Sequence, residues 1–112
     1  MKSSTKNSEH YTWGTNCDGW HLLKSDSLSV IQERMPSGTT ETMHKHSKSQ
    51  QYFYILKGIA TFIVDEHLLE VQASEGIHIP PNTFHQIQNN HYEELNFLVI
   101  SEPKSHGDRI LK

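Results

Sequence analysis

Cysteine is almost absent. Cys17 stands alone in a chain of 112 residues, so no disulfide can close within the chain and no cysteine cluster can bind zinc. A single unpaired thiol also fits a reducing, cytoplasmic compartment. Long apolar runs are lacking too. No segment approaches the roughly 18 apolar residues of a membrane span, and the polar stretch from Met1 to His10 does not read as a secretory leader. Positive charge is scarce. Lys and Arg number 10 against 13 Asp and Glu, a formal net charge of −3, which argues against a nucleic-acid partner and against an anionic membrane surface. Missing as well is any sustained i, i+3, i+4 apolar stripe, the signature of an amphipathic helix. A hydrophobic content of 34% suffices for one modest core, so the length predicts one domain. What the chain has in excess is histidine, nine in all.

Residues 1–10 are rich in Lys, Ser, Thr and Asn without apolar periodicity and predict a flexible lead-in to a domain spanning 11–112. Within that domain, short β-prone runs follow one another: Trp20–Lys24, Leu28–Met35, Glu41–His46, Gln51–Lys57, Ile59–Val64, Leu68–Val71, Gly76–Ile79, Phe84–Gln88 and Leu95–Ile100. Between them lie turn-forming groups such as Pro36-Ser37-Gly38, Lys57-Gly58, Asp65-Glu66-His67, Pro80-Pro81-Asn82 and Asn89-Asn90. These residues supply preset or positive φ. Many short strands joined by tight turns predict an all-β sandwich or barrel, in which closure removes exposed edges.

The histidines acquire meaning from spacing. His44 and His46 are two apart, so on a strand both rings share one face with roots roughly 7 Å apart, while Lys45 points the other way. Gln51 opens the following strand and can bring an amide oxygen alongside. His85 follows the rigid Pro80-Pro81-Asn82 turn and is placed to deliver a third imidazole from across a barrel. Three imidazoles and an amide oxygen suit a divalent ion: zinc, manganese, iron, nickel or copper. Taken alone, a His-x-His pair is more often an incidental exposed pair, and Gln51 has an equally plain reading as a structural amide.

The ordered pattern goes further. Gly38-x5-His44-x-His46-x4-Gln51-x6-Gly58 resembles the first motif of the cupins, and Pro80-x-Asn82-x2-His85-x3-Asn89 is similar to the second, with about 20 residues between them. The resemblance implies an all-β double-stranded β-helix, the jelly-roll or cupin barrel of the RmlC-like type. It implies that His44, His46 and His85 are metal ligands with Gln51 in the fourth ligand position, and that the N-terminal strands pair across a homodimer. Three departures stand out: Gln51 where the family usually has Glu, Asn82 where glycine is typical, and Ser74 where the second motif's leading glycine would fall. Asn tolerates positive φ, so its substitution is mild. Glutamine leaves a bound ion its full formal charge, which strengthens Lewis acidity and weakens retention. It also removes the carboxylate favoured by many non-haem iron oxygenases.

Other residues extend the site. On the strand before the first motif, alternation sends either Glu33 or its neighbours Gln32 and Arg34 into the barrel, and parity alone leaves the choice open. An inward Arg34 suits a carboxylate or phosphate, and an inward Glu33 suits a hydroxyl or a proton transfer. His78 is a further candidate for the pocket wall. Glu33, Arg34 and His78 are therefore the expected catalytic candidates. Phe53 shares the face of Gln51, while His10, His67, His91 and His106 read as solvent-exposed. The functional expectation is a metal-dependent enzyme acting on a small polar metabolite (a sugar, keto acid or hydroxy acid) by isomerase, lyase or dioxygenase chemistry. The competing expectation is a non-catalytic barrel that binds a small molecule or a metal.

Overall fold

The computed structural model describes residues 1–112 as eleven β-strands and no α-helix. The strands are β1 (Glu9–Trp13), β2 (Cys17–Lys24), β3 (Ser29–Met35), β4 (His44–Lys45), β5 (Gln50–Lys57), β6 (Ile59–Val64), β7 (His67–Gln72), β8 (Gly76–Ile79), β9 (His85–Gln88), β10 (Leu95–Glu102) and β11 (Ile110–Leu111). They form two antiparallel sheets, one in the order β1-β2-β3-β10-β5-β8 and the other β11-β4-β9-β6-β7. The fold is the all-β jelly roll anticipated from the sequence. No helix is long and apolar enough to cross a membrane.

Turn chemistry closes the hairpins. Asp65 and Glu66 both take positive φ between β6 and β7, the conformation that matches the twist of a two-residue hairpin. Ser74 and Asn82, the two residues standing where glycine was expected, sit at φ 69° and 60°. The backbone thus keeps the left-handed turns without the glycines. Gly58 is different. At φ 88° a Cβ there would also lie 2.7 Å from the Glu94 carbonyl oxygen, so only glycine fits.

Two strands were not anticipated from the sequence. β1 pairs residue for residue with β2, yet Glu9 to Trp13 carries too little apolar signal to be read as a strand. β11 is two residues long and pairs with β4. The expected run Glu41–His46 is also corrected: only His44 and Lys45 are in ladder geometry. Upstream, the chain follows β9 irregularly, with Glu41 N–H donating to Ile87 O at 3.0 Å and Gly38 N–H to Asn89 O at 2.8 Å.

Register sorts the interior into layers. β10 lies between β3 and β5, and Leu95 and Phe97 oppose Met35 and Glu33, with Ile55 facing Phe97 from the other side. Toward the other end, Val99 sits between Ile31 and Phe53, and Ser101 between Ser29 and Gln51. Inward residues therefore pass from apolar to polar along β10 and β5, while on β3 Glu33 interrupts the apolar series. Met35, Ile55, Phe62, Ile87, Leu95 and Phe97 are fully buried, each side chain contributing roughly 1.5–3 kcal/mol. Phe53 meets Phe62 edge-on at 5.2 Å between centroids and Phe97 at 5.9 Å. This packed end holds the barrel shut. The polar end is left open as a cavity.

Candidate metal centre

His44 on β4 is the register partner of His85 on β9, and His46 follows one turn of the pleat later. The ring centroids of His44 and His85 are 4.5 Å apart, those of His44 and His46 4.8 Å, and those of His46 and His85 5.7 Å. All three are buried, and one ring nitrogen from each lies within 4.8 Å of the others.

Backbone carbonyls fix which nitrogen faces inward. Nδ1 of His44 contacts Thr42 O at 2.8 Å, Nδ1 of His85 contacts Thr83 O at 2.8 Å, and Nδ1 of His46 contacts Asp108 O at 2.6 Å. A carbonyl only accepts, so each Nδ1 carries the proton and each Nε2 presents a lone pair. Burial lowers the pKa of all three rings, that of His44 to about 4, which keeps them neutral at physiological pH. Gln51 Nε2 donates to Ser101 Oγ at 3.0 Å. Its Oε1, together with Nε2 of His46 and of His85, is buried without a hydrogen-bond partner. Three buried acceptors cost roughly 1–3 kcal/mol each when unpaired. They cannot satisfy one another, because all of them only accept. A cation resolves the conflict, and neutral nitrogen and amide donors suit a borderline transition ion better than calcium or magnesium.

The residues present therefore fit a metal ion. The family model for the cupin domain matches residues 31–101. The chain belongs to the cupins. Among curated proteins, this cupin is 34% identical over 89 residues to an uncharacterized protein of Methanocaldococcus jannaschii, covering 79% of this chain and 71% of that one. Among solved structures, it resembles a predicted oxalate decarboxylase from Thermotoga maritima with a TM-score of 0.85 and 18% identity, covering 93% of this chain and 100% of the other. It also resembles a cupin-superfamily sugar phosphate isomerase from Silicibacter pomeroyi, with a TM-score of 0.80, 16% identity, and coverage of 93% and 76%. At such identities the structural likeness speaks for the fold alone.

The cupin barrel opens onto a cavity of about 790 Å³ whose wall includes His44, His46, Gln51, Phe53 and Glu33. Register resolves the parity of β3: Glu33 lies opposite buried Phe97 and points in. Gln32 and Arg34 take the opposite face. Arg34 is an outer-face residue, ion-paired with Asp18 at 3.2 Å and Glu94 at 3.0 Å and bonded to Asn16 O at 3.2 Å. His78 is exposed, its Nε2 2.9 Å from Gln50 Oε1. Of the three catalytic candidates, only Glu33 is brought to the cavity; strand alternation turns Arg34 and His78 away from it.

Several residues that complete the wall belong to no motif and were not anticipated. Glu41 precedes the histidines in irregular chain, its Oε1 buried without a hydrogen bond and 4.0 Å from His44 Nδ1. Burial, reinforced by the charge of Glu33, pushes its pKa to about 8. Glu33 is raised to about 7 by burial, partly opposed by Tyr11, whose hydroxyl donates to Oε2 at 2.7 Å. Tyr11 reaches Glu33 by crossing Gly19, the residue paired with both. A Cβ at Gly19 would lie 2.1 Å from Tyr11 Cζ.

The C-terminal segment forms the remaining rim. The Asp108 carboxylate accepts from the backbone N–H groups of Ser47 (2.9 Å), Lys48 (2.9 Å) and Ser49 (3.1 Å) and from Ser47 Oγ (2.6 Å). These donors hold its pKa well below the ordinary carboxylate value. The same residue's carbonyl orients His46. Asp108 thus ties the last strand to the loop between two candidate ligands.

Proposed function

We propose that this cupin is a metal-dependent enzyme that isomerises or eliminates on a small polar metabolite, with one divalent ion held by His44, His46, His85 and Gln51. The observation that carries the reading is the set of orphaned acceptors, His46 Nε2, His85 Nε2 and Gln51 Oε1, beside inward carboxyls that are not themselves ligands. A bound ion supplies Lewis acidity toward a carbonyl or hydroxyl oxygen. The chain's own residues do the rest. Nδ1–H bonds to carbonyls hold the rings in one orientation, so little reorganisation accompanies binding. Glu33 titrates near neutrality, where a group gives and takes a proton with equal ease. Tyr11 engages its Oε2 and leaves Oε1 to exchange a proton with a substrate. Phe53 and Ile31 wall the cavity against water.

The all-neutral donor set weighs against oxygenase chemistry of the kind that needs a ligating carboxylate. A barrel that merely binds a small molecule requires no acid poised near neutrality, and two inward carboxyls speak for catalysis. We place the protein in the cytoplasm, consistent with its buried, unpaired Cys17, and as a homodimer, consistent with Tyr52 and Leu56 exposed on the outer face of β5.

Two measurements test this. Untagged protein analysed for metals should carry, or take up from zinc, manganese, iron or nickel salts, close to one ion per chain. Less than roughly a tenth of an ion after loading would overturn the metal site. Metal-loaded protein incubated with 2-hydroxy ketones in deuterated water should place deuterium on carbon, and Glu33→Gln should abolish that exchange while keeping the metal. Metal binding without exchange on any such compound would favour the binding barrel.

A further inference from the structure

Three cationic side chains line the cavity: Lys24, Lys104 and Arg109. Two are spent. Lys24 pairs with Glu9 at 3.1 Å and Lys104 with Asp26 at 2.9 Å. Arg109 has no acidic partner within salt-bridge distance, although its charge reaches Glu33, Glu41 and all three histidines. Its backbone is held on either side. Asp108 is tied to the loop at 47–49, and Ile110 pairs with Lys45. A tethered backbone carrying an uncommitted guanidinium over a mixed polar cavity is arranged to receive a group from outside the protein.

We infer that Arg109 is the anion-binding residue of this site, and that the substrate carries a carboxylate or phosphate. This rests on the metal-enzyme reading and narrows it to anionic metabolites. Guanidinium offers a planar fork of donors that matches the oxygens of either group. An exposed rim position is also where a cation attracts an approaching anion and then holds it against the cavity mouth. Arg109 takes the role that sequence spacing had offered to Arg34.

The test compares matched ligands that differ only in the anion: dihydroxyacetone phosphate against dihydroxyacetone, and 4-hydroxybutyrate against 1,4-butanediol. Trp13 lines the cavity, so tryptophan fluorescence follows binding without any turnover. Titrations are run on metal-free and zinc-loaded protein. At least one anionic member should bind more tightly than its neutral counterpart. Arg109→Gln should weaken that member roughly tenfold or more, as expected for losing a charge-assisted hydrogen bond, and Arg109→Lys should restore part of it. The neutral counterparts should be unaffected, and zinc content should stay unchanged. Lys104→Gln, which removes an already paired cation, should cost much less than Arg109→Gln.

Equal binding of charged and neutral members, indifference to Arg109→Gln, or an equal loss in Lys104→Gln would overturn the assignment. Failure of the two ideas is separable. A protein that binds no zinc yet keeps the Arg109-dependent preference refutes the metal site alone, and a zinc-binding protein without the preference refutes the anion site alone.

Discussion

Glu41→Gln should make the metal-free protein more stable at neutral pH and leave it no more stable in acid. Glu41 is a carboxyl of ordinary pKa 4.5 raised to about 8 in the fold, first by burial and then by the charge of Glu33. Between those two values the folded state holds a proton that the unfolded chain releases. Stability therefore falls as pH rises through this window. Each unit corresponds to about 1.4 kcal/mol, so the penalty at pH 7 is roughly 3 kcal/mol relative to pH about 4. Glutamine has the same shape and no charge to bury. Its amide hydrogens bring a penalty of their own, about 1–2 kcal/mol if unpaired, but one that does not vary with pH. The diagnostic is consequently the change in the difference between variant and wild type. Urea unfolding of both proteins with chelator, at pH about 4 and about 7.5, should show the variant gaining about 4 kcal/mol on the wild type between the two conditions. A difference that is the same at both pH values, or that moves against the variant as pH rises, would refute the reasoning.

Three further outcomes follow from the site's supports. Asp108→Ala leaves three backbone N–H groups and the Ser47 hydroxyl without their carboxylate. It should cost about 1–2 kcal/mol in thermal or urea unfolding and weaken zinc retention against a competing chelator by freeing the segment that orients His46. Gly19→Ala should force Tyr11 off Glu33, since the new Cβ would meet the ring, with a loss of about 1–3 kcal/mol; unchanged stability would show that the ring has another resting place. Gln51→Glu should slow zinc release by adding charge to the donor set, and an unchanged release rate would remove Gln51 from it.

The metal centre was legible because its grammar is local. His44, His46 and His85 are set by a two-residue strand spacing and by a proline turn, and positive φ at Asn82 and Ser74 preserves the turns where glycine is missing. What escaped sequence reading depends on pairing. Whether Glu33 or Arg34 faces inward is decided by the register of β3 on β10, a difference of one residue that flips the strand. β1 needed β2 beside it to be a strand at all. Asp108 and Arg109 lie more than sixty residues from His46 in a polar tail, and only closure of β11 on β4 carries them to the cavity. Glu41 was hidden in another way. Its approach to His44 comes from irregular chain, where alternation gives no guide to direction.

The central claim is that three imidazoles and one amide oxygen surround a single ion. X-ray absorption of the zinc-loaded protein tests it most directly. The spectrum should show nitrogen and oxygen neighbours at about 2.0–2.2 Å, with outer-shell scattering from three imidazoles that falls to two in His85→Ala. Fewer than three imidazoles in the wild type, or a pattern unchanged by His85→Ala, would contradict the account.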